Sequence, residues 1–299
     1  MFKPIGQRQS SGVRFGSRIP RDDTTTGLGL VRAIRVGVEF EGARAAPGAF
    51  PADVSNTYYE EDRERMLLAA LREQVLEANL DLVRRELVLS TFGNASGIAR
   101  DDGLIVIKPS GVPYEAMKPE HLVVTDLQGK VVQGTLRPSS DLPTHAVLYR
   151  AFPSIGGIAH THSEYATAWA QARKPIPCFG TTHADYFHGP IPLTDSMADD
   201  EIKGEYEANT GVAIIRAFKK IDPQAVPAVL VANHGPFAWG ADPRKAAENA
   251  WMLEAVARMA YFTIGINPRA SSVSKTLHDR HFLRKHGKEA YYGQARSKE

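Results

Sequence analysis

Ile155-Gly-Gly-Ile-Ala-His-Thr-His-Ser163 is a short apolar run that ends on two histidines. A stretch of this length, bounded by small residues, reads as a buried strand. Side chains two apart on a strand share a face, so the imidazoles of His160 and His162 emerge side by side. Val229-Leu-Val-Ala232 reads as a second buried strand and delivers His234 just beyond its own end. Three convergent neutral imidazoles with an open coordination position are the usual protein contribution to a catalytic zinc site. The alternative is three strand-end histidines making ordinary hydrogen bonds.

The surrounding chain has a regular pattern from Met66 onward. Leu68, Leu71, Val75 and Leu82 form a helical stripe with Arg and Glu opposite. Residues 87–92 and 104–107 read as strands, and residues 122–125 and 130–132 as a hairpin around Asp126-Leu-Gln-Gly129. A helix is expected near Pro143, and others over 165–171, 209–220, 243–263 and 277–285. Helices and strands are intermixed without strict alternation. This predicts one α/β domain over residues 66–299, with a central, mainly antiparallel sheet flanked by helices.

Residues 1–65 are of another composition, rich in Gly, Arg, Pro, Ser and Thr. Lys3, Arg8, Arg14, Arg18 and Arg21 precede the first acid, Asp22, but Gly and Pro recur too often for an amphipathic transit helix. The segment reads as a disordered tail or an over-extended start, with Met66 as a natural initiator. Over the whole 299 residues, 36 basic against 34 acidic side chains give +2, so no global field recruits nucleic acid or an anionic membrane. The single cysteine, Cys178, excludes an intrachain disulfide and a cysteine-rich metal site and fits a cytoplasmic protein. No apolar run reaches membrane-spanning length; Ala255 to Ile266 is broken by Arg258.

Three segments place small polar residues where strands give way to turns: Gly93-Asn94, Lys108-Pro-Ser110-Gly111 and Pro138-Ser139-Ser140-Asp141. Hydroxyls, free backbone N–H groups and one ammonium make an anion cradle. Ser-Ser-Asp before Leu-Pro-Thr is equally a helix cap, and Lys108 equally a solvated turn. Asp185, in Thr-Thr-His-Ala-Asp-Tyr, is either an acid/base group or the start of a turn. Glu207 is either a surface charge or a support for a metal-ligand imidazole.

Gly-Asn-Ala-Ser, Ile-Lys-Pro-Ser-Gly-Val, Pro-Ser-Ser-Asp, Phe-Pro-Ser-Ile-Gly-Gly-Ile-Ala-His-Thr-His-Ser, Gly-Thr-Thr-His-Ala-Asp-Tyr-Phe, His-Gly-Pro-Phe-Ala-Trp-Gly and the terminal Leu-Arg-Lys-His-Gly-Lys-Glu-Ala-Tyr-Tyr-Gly-Gln occur in this order. Together they closely resemble the epimerase branch of the class II aldolase and adducin-head family, from about Met66 to Gln294. The resemblance implies a class II aldolase-like fold. It also implies zinc or another divalent cation, one per subunit, on His160, His162 and His234, with Asp141 as a further ligand or acid/base group. A phosphate site is implied at Gly93, Asn94, Ser110, Gly111, Ser139 and Ser140, with Lys108 close by. Asp185 and Tyr292 match the family's acid/base pair, and His281 a further residue near a site shared between neighbouring subunits of a homotetramer.

The implied reaction interconverts L-ribulose 5-phosphate and D-xylulose 5-phosphate, as in arabinose-type pentose catabolism. The C4 hydrogen is not adjacent to the carbonyl, so inversion requires breaking C3–C4, rotating the aldehyde fragment and reforming the bond. A bound dication stabilises the enediolate left behind. The competing expectations are a sugar-phosphate aldolase of the same family, a non-catalytic adducin-head scaffold and a plain zinc hydrolase. Asp141, where the aldolases typically carry Glu, and the Thr-Thr-His-Ala-Asp segment favour epimerisation.

Overall fold

The computed structural model describes residues 66–288, 290 and 291, all within the unit Asp53–Glu299. The expectations for residues 1–65 and for Tyr292 lie outside the described residues. Seven strands form one sheet in the order β4-β3-β2-β1-β5-β7-β6, and each adjacent pair is antiparallel. They are β1 (Asn94–Ala99), β2 (Leu104–Ile107), β3 (Val123–Asp126), β4 (Val131–Gln133), β5 (Gly157–His160), β6 (Ala228–Leu230) and β7 (Pro236–Gly240). The mainly antiparallel sheet flanked by helices agrees with the expected architecture.

Helix α1 (Ala69–Arg84) buries Val75, Ala78, Asn79 and Leu82, three or four residues apart, as the leucine-rich stripe requires. Asn79 is a polar member of that face, and it fixes the helix to the sheet. Its amide donates to the carbonyl of Ala95 at 3.0 Å, and its own oxygen accepts the Ala95 N–H at 2.8 Å. This clamp sets the start of β1, where Asn94 enters the site.

The strand expected over residues 87–92 is not formed. Ser90 takes φ +54°, and Leu89 and Phe92 are exposed. The strand lies instead at Asn94–Ala99, whose small residues carry no apolar alternation. A Cβ on Gly97 would stand 2.8 Å from Leu71 Cδ1 and from Pro243 Cγ, so close helix packing selects against bulk there. The hairpin forms as read. Asp126 accepts from the N–H groups of Gln128 and Lys130, both at 2.9 Å, and Gly129 supplies φ +86°.

The remaining helices are α2 (Leu142–Ala151), α3 (Glu164–Gln171), α4 (Thr181–Ala184), α5 (Asp199–Lys203), α6 (Tyr206–Ala217), α7 (Pro243–Ile266) and α8 (Lys275–His286). Helix α6 begins three residues before the expected 209. The expectations from sequence do not extend to the short α4 and α5 or to strand β7. Asp242 caps α7 by accepting from Lys245 N at 2.6 Å. The same turn presses on β5, where a Cβ on Gly157 would lie 2.5 Å from the Asp242 and Pro243 backbone. The Gly156-Gly157 pair is thus the seat of a helix N-terminus, and it fixes the height at which His160 leaves the sheet. Among the described residues, no helix is long and apolar enough to cross a membrane.

Candidate metal and substrate site

His160 ends β5, His162 follows two residues later, and His234 sits in the turn between β6 and β7, next to Asn233 at φ +62°. The β5–β7 pairing therefore assembles the trio. One ligand-capable atom from each lies within 4.8 Å of the others. The Nε2 atoms of His160 and His162 are 3.2 Å apart. His160 Nδ1 donates to the Pro236 carbonyl at 2.9 Å, so its Nε2 keeps a lone pair facing its neighbours. The His160 ring is stacked on Phe237, centroids 4.1 Å apart.

Electrostatics favour the neutral forms of His234 and His162. Burial, then repulsion from His160 and His162, depresses His234 to about 4, against the pull of Asp141. Burial and His160 likewise lower His162, again opposed by Asp141. His234 Nδ1 is buried with no hydrogen-bond partner. Convergent imidazoles with an orphaned ring nitrogen fit a divalent cation of the borderline-soft kind.

Asp141 stands at the head of α2. Its carboxylate accepts from Asn94 Nδ2 at 2.7 Å and is not one of the mutually close ligand atoms. Burial pushes this carboxyl up, but His160, His145, His234 and the Asn94 amide together outweigh it and hold it below its ordinary value. Asn94 also donates to Ser139 Oγ at 3.1 Å, and its own Oδ1 is buried and unpartnered.

A cavity of about 360 Å³ opens onto the trio. Its far wall is made of Gly93, Asn94, Lys108, Ser110, Gly111, Ser139 and Ser140, with Asp141 between. Two main-chain bonds, Ser110 N to Arg137 O and Ser139 N to Lys108 O, both 2.9 Å, lace the two hydroxyl-bearing segments together. Lys108 is buried, and that burial lowers the pKa of its ammonium. Phe92, Tyr206 and Glu207 also line the cavity. Of these the sequence singled out only Glu207, and left its role open. The position of Phe92 beside Gly93-Asn94 was the available signal. A second cavity of about 380 Å³, between α4 and α7, is lined mainly by apolar groups. Its only imidazole, His183, is engaged with the Gly189 carbonyl at 2.8 Å, so the chemistry belongs to the cavity at the trio.

Asp185 and His281 do not line the histidine cavity of their own chain. Asp185 follows α4 and is held by α8. Arg284 Nε and a terminal guanidinium nitrogen reach its two oxygens at 3.0 and 2.7 Å, and His281 Nδ1 lies at 3.1 Å. Burial raises the Asp185 carboxyl, but the Arg284 and His281 bonds and the Lys285 charge lower it further.

The mainly antiparallel sheet of this α/β fold offers three imidazoles and a hydroxyl-lined pocket at its strand ends, a donor set that fits a divalent cation. Residues 73–261 match the family described as Class II Aldolase and Adducin N-terminal domain, and the chain belongs to that family. It is 54% identical over 224 residues to L-ribulose-5-phosphate 4-epimerase UlaF of Salmonella paratyphi B (strain ATCC BAA-1250 / SPB7), covering 75% of this chain and 98% of the relative. The same figures hold for the Salmonella typhi protein of that name. Among solved structures, an L-fuculose 1-phosphate aldolase superposes with TM-score 0.62 at 24% identity, covering 72% of this chain and 96% of its own. YgbL of Klebsiella pneumoniae gives TM-score 0.56 at 26% identity, covering 72% and 99%.

Proposed function

We propose that this protein inverts C4 of a phosphorylated ketopentose, interconverting L-ribulose 5-phosphate and D-xylulose 5-phosphate by cleavage and re-formation of C3–C4. The observation that carries the reading is the union, in one cavity, of three convergent imidazoles and a wall of small hydroxyl and amide donors. A plain hydrolase has no use for the second half of that cavity. The 54% identity to relatives named for this epimerisation, over 98% of their length, supports the same reaction.

His160, His162 and His234 hold the cation, for which zinc is the preferred identity given an all-imidazole set. When bound, it supplies Lewis acidity to the negative charge that develops on the substrate oxygens. Gly93, Asn94, Ser110, Gly111, Ser139 and Ser140 bind the phosphate, with Lys108 contributing charge. Many small donors keep the aldehyde fragment in place while it rotates. Asn94 orients Asp141 toward the reacting end. Asp185 and Tyr292 carry the protons on opposite faces. Because Asp185 does not line the cavity of its own chain, it serves the site of a neighbouring subunit, with His281 beside it, in a homotetramer. Residues 66–299 form the catalytic domain, in the cytoplasm, in arabinose-type pentose breakdown.

The test is to incubate the cation-loaded protein with L-ribulose 5-phosphate. D-Xylulose 5-phosphate is expected as the product. Net accumulation of glycolaldehyde phosphate would instead identify an aldolase.

A further inference from the structure

Tyr114 enters none of the steps above, yet two parts of the phosphate wall meet on it. It opens a single 3-10 turn, Tyr114–Ala116, and is 4% exposed. Its hydroxyl lies 2.8 Å from the Gly93 carbonyl and 3.1 Å from that of Phe92. Both are acceptors, so the phenol donates one hydrogen shared between them. Burial raises the pKa of this phenol, which keeps that hydrogen at any ordinary pH.

The ring of the same residue lies 4.7 Å from Lys108 Nζ. Among the described residues, the ammonium otherwise reaches only the carbonyls of Thr91 at 3.4 Å and Pro109 at 3.3 Å, both long contacts. Among the described residues no carboxylate pairs with it. A buried cation without a counter-ion is held by the negative face of an aromatic ring and by carbonyl dipoles. Gly93 is equally constrained: its φ is +83°, and an added Cβ would meet the His160 carbonyl at 3.0 Å.

We propose that Tyr114 is a positioning residue for the anion end of the cavity. Its hydroxyl fixes the Phe92–Gly93 main chain, and its ring holds the Lys108 ammonium, so that both walls are in place before a phosphate arrives. The inference rests on the phosphate-binding reading given above. Preorganisation of this kind acts on binding more than on turnover, because Tyr114 does not line the cavity itself.

The test compares full-length, cation-loaded wild type with Tyr114→Phe and Tyr114→Leu. Each is titrated calorimetrically with inorganic phosphate and assayed at steady state. Tyr114→Phe retains the ring and loses only the hydroxyl. It is expected to weaken phosphate binding and raise KM about five- to tenfold, with kcat within about twofold. Tyr114→Leu also removes the ring and is expected to weaken phosphate about threefold further. If Tyr114→Leu does not fold, Tyr114→Phe alone decides. A Tyr114→Phe protein that binds phosphate like wild type, or that loses kcat at constant KM, overturns the proposal. Wild type that takes up no phosphate overturns the phosphate reading itself, and the proposal falls with it.

Discussion

Arg284 closes on Asp185 through two parallel hydrogen bonds, at 3.0 and 2.7 Å, across 99 residues of chain. A bidentate guanidinium–carboxylate pair is among the stronger charge-assisted contacts, and this one joins α8 to the end of α4. The His286 ring adds a bond to the Asp185 carbonyl at 2.9 Å. Helix α8 buries no residue fully, so its docking is largely polar.

That docking is therefore sensitive to acid. The folded-state carboxyl of Asp185 lies below its ordinary value of 3.8. Its contribution is complete above that unfolded value and is lost as the pH falls through the lower folded one. The protection of the α8 amides against hydrogen exchange, relative to their intrinsic rates, is expected to fall below about pH 3.8. Asp185→Asn is expected to lower it already at neutral pH, by about 1–3 kcal/mol of local opening. Exchange in that variant at neutral pH no faster than in wild type would contradict this.

Removing one ring of the trio leaves two ligands and an open sphere. His162→Ala is expected to reduce D-xylulose 5-phosphate formation by about a hundred- to a thousandfold and to lower the bound cation well below one per chain, with an unchanged circular dichroism spectrum. Metal analysis alongside the assay separates loss of the cation from loss of the fold.

Chelation makes the same point without mutation. Dialysis against a strong chelator is expected to abolish turnover, and zinc to restore it. Because the cation binds the folded state, melting is expected to rise with its concentration, by about 2.7 kcal/mol at a hundredfold excess over Kd. A melting curve indifferent to zinc would argue that the three imidazoles hold nothing.

Two glycines of the cavity share a left-handed backbone but differ in their surroundings. Gly93, at φ +83°, has the His160 carbonyl 3.0 Å from the place of a Cβ, whereas Gly111, at φ +69°, has open space. Gly111→Ala is expected to cost about 1 kcal/mol in thermal stability, from conformational strain alone. Gly93→Ala is expected to cost more, about 2–3 kcal/mol, and to depress activity beyond its stability effect because it displaces the residue that carries the His160 ring.

A chain begun at Met66 is expected to keep full activity. The 54%-identical relatives are matched over 98% of their own length by 75% of this one. Loss of folding or turnover on truncation would assign the first 65 residues a role.

The parts of this molecule legible in the sequence are those whose signal is local. Ile155 to Ala159 is small and apolar, and its second half, Gly157 to Ala159, forms the strand that ends on His160. The α1 stripe at Val75 and Leu82 is buried as its spacing requires. What the sequence hides is decided by distant packing. Strand β1 carries Gly97 because α1 and α7 crowd it, and Ser96 because its hydroxyl meets His145 and Tyr149 of α2, so no alternation marks it. Pro236 masked β7, although a proline is tolerated as a first strand residue. Two of the nominated loops are laced by main-chain bonds between residues 108–110 and 137–139, which no residue type encodes, and the third joins them through the Asn94 amide on Ser139 and Asp141. The grip of Arg284 on Asp185 needs a helix nearly a hundred positions away.

The Pro236 carbonyl receives both the His160 ring N–H, at 2.9 Å, and the Thr161 amide, at 3.3 Å. The tilt of one imidazole is thus set by a peptide oxygen, an atom that every amino acid supplies. Replacement of the Pro236 side chain leaves that anchor standing, so drift at this position can proceed while the ring keeps its aim.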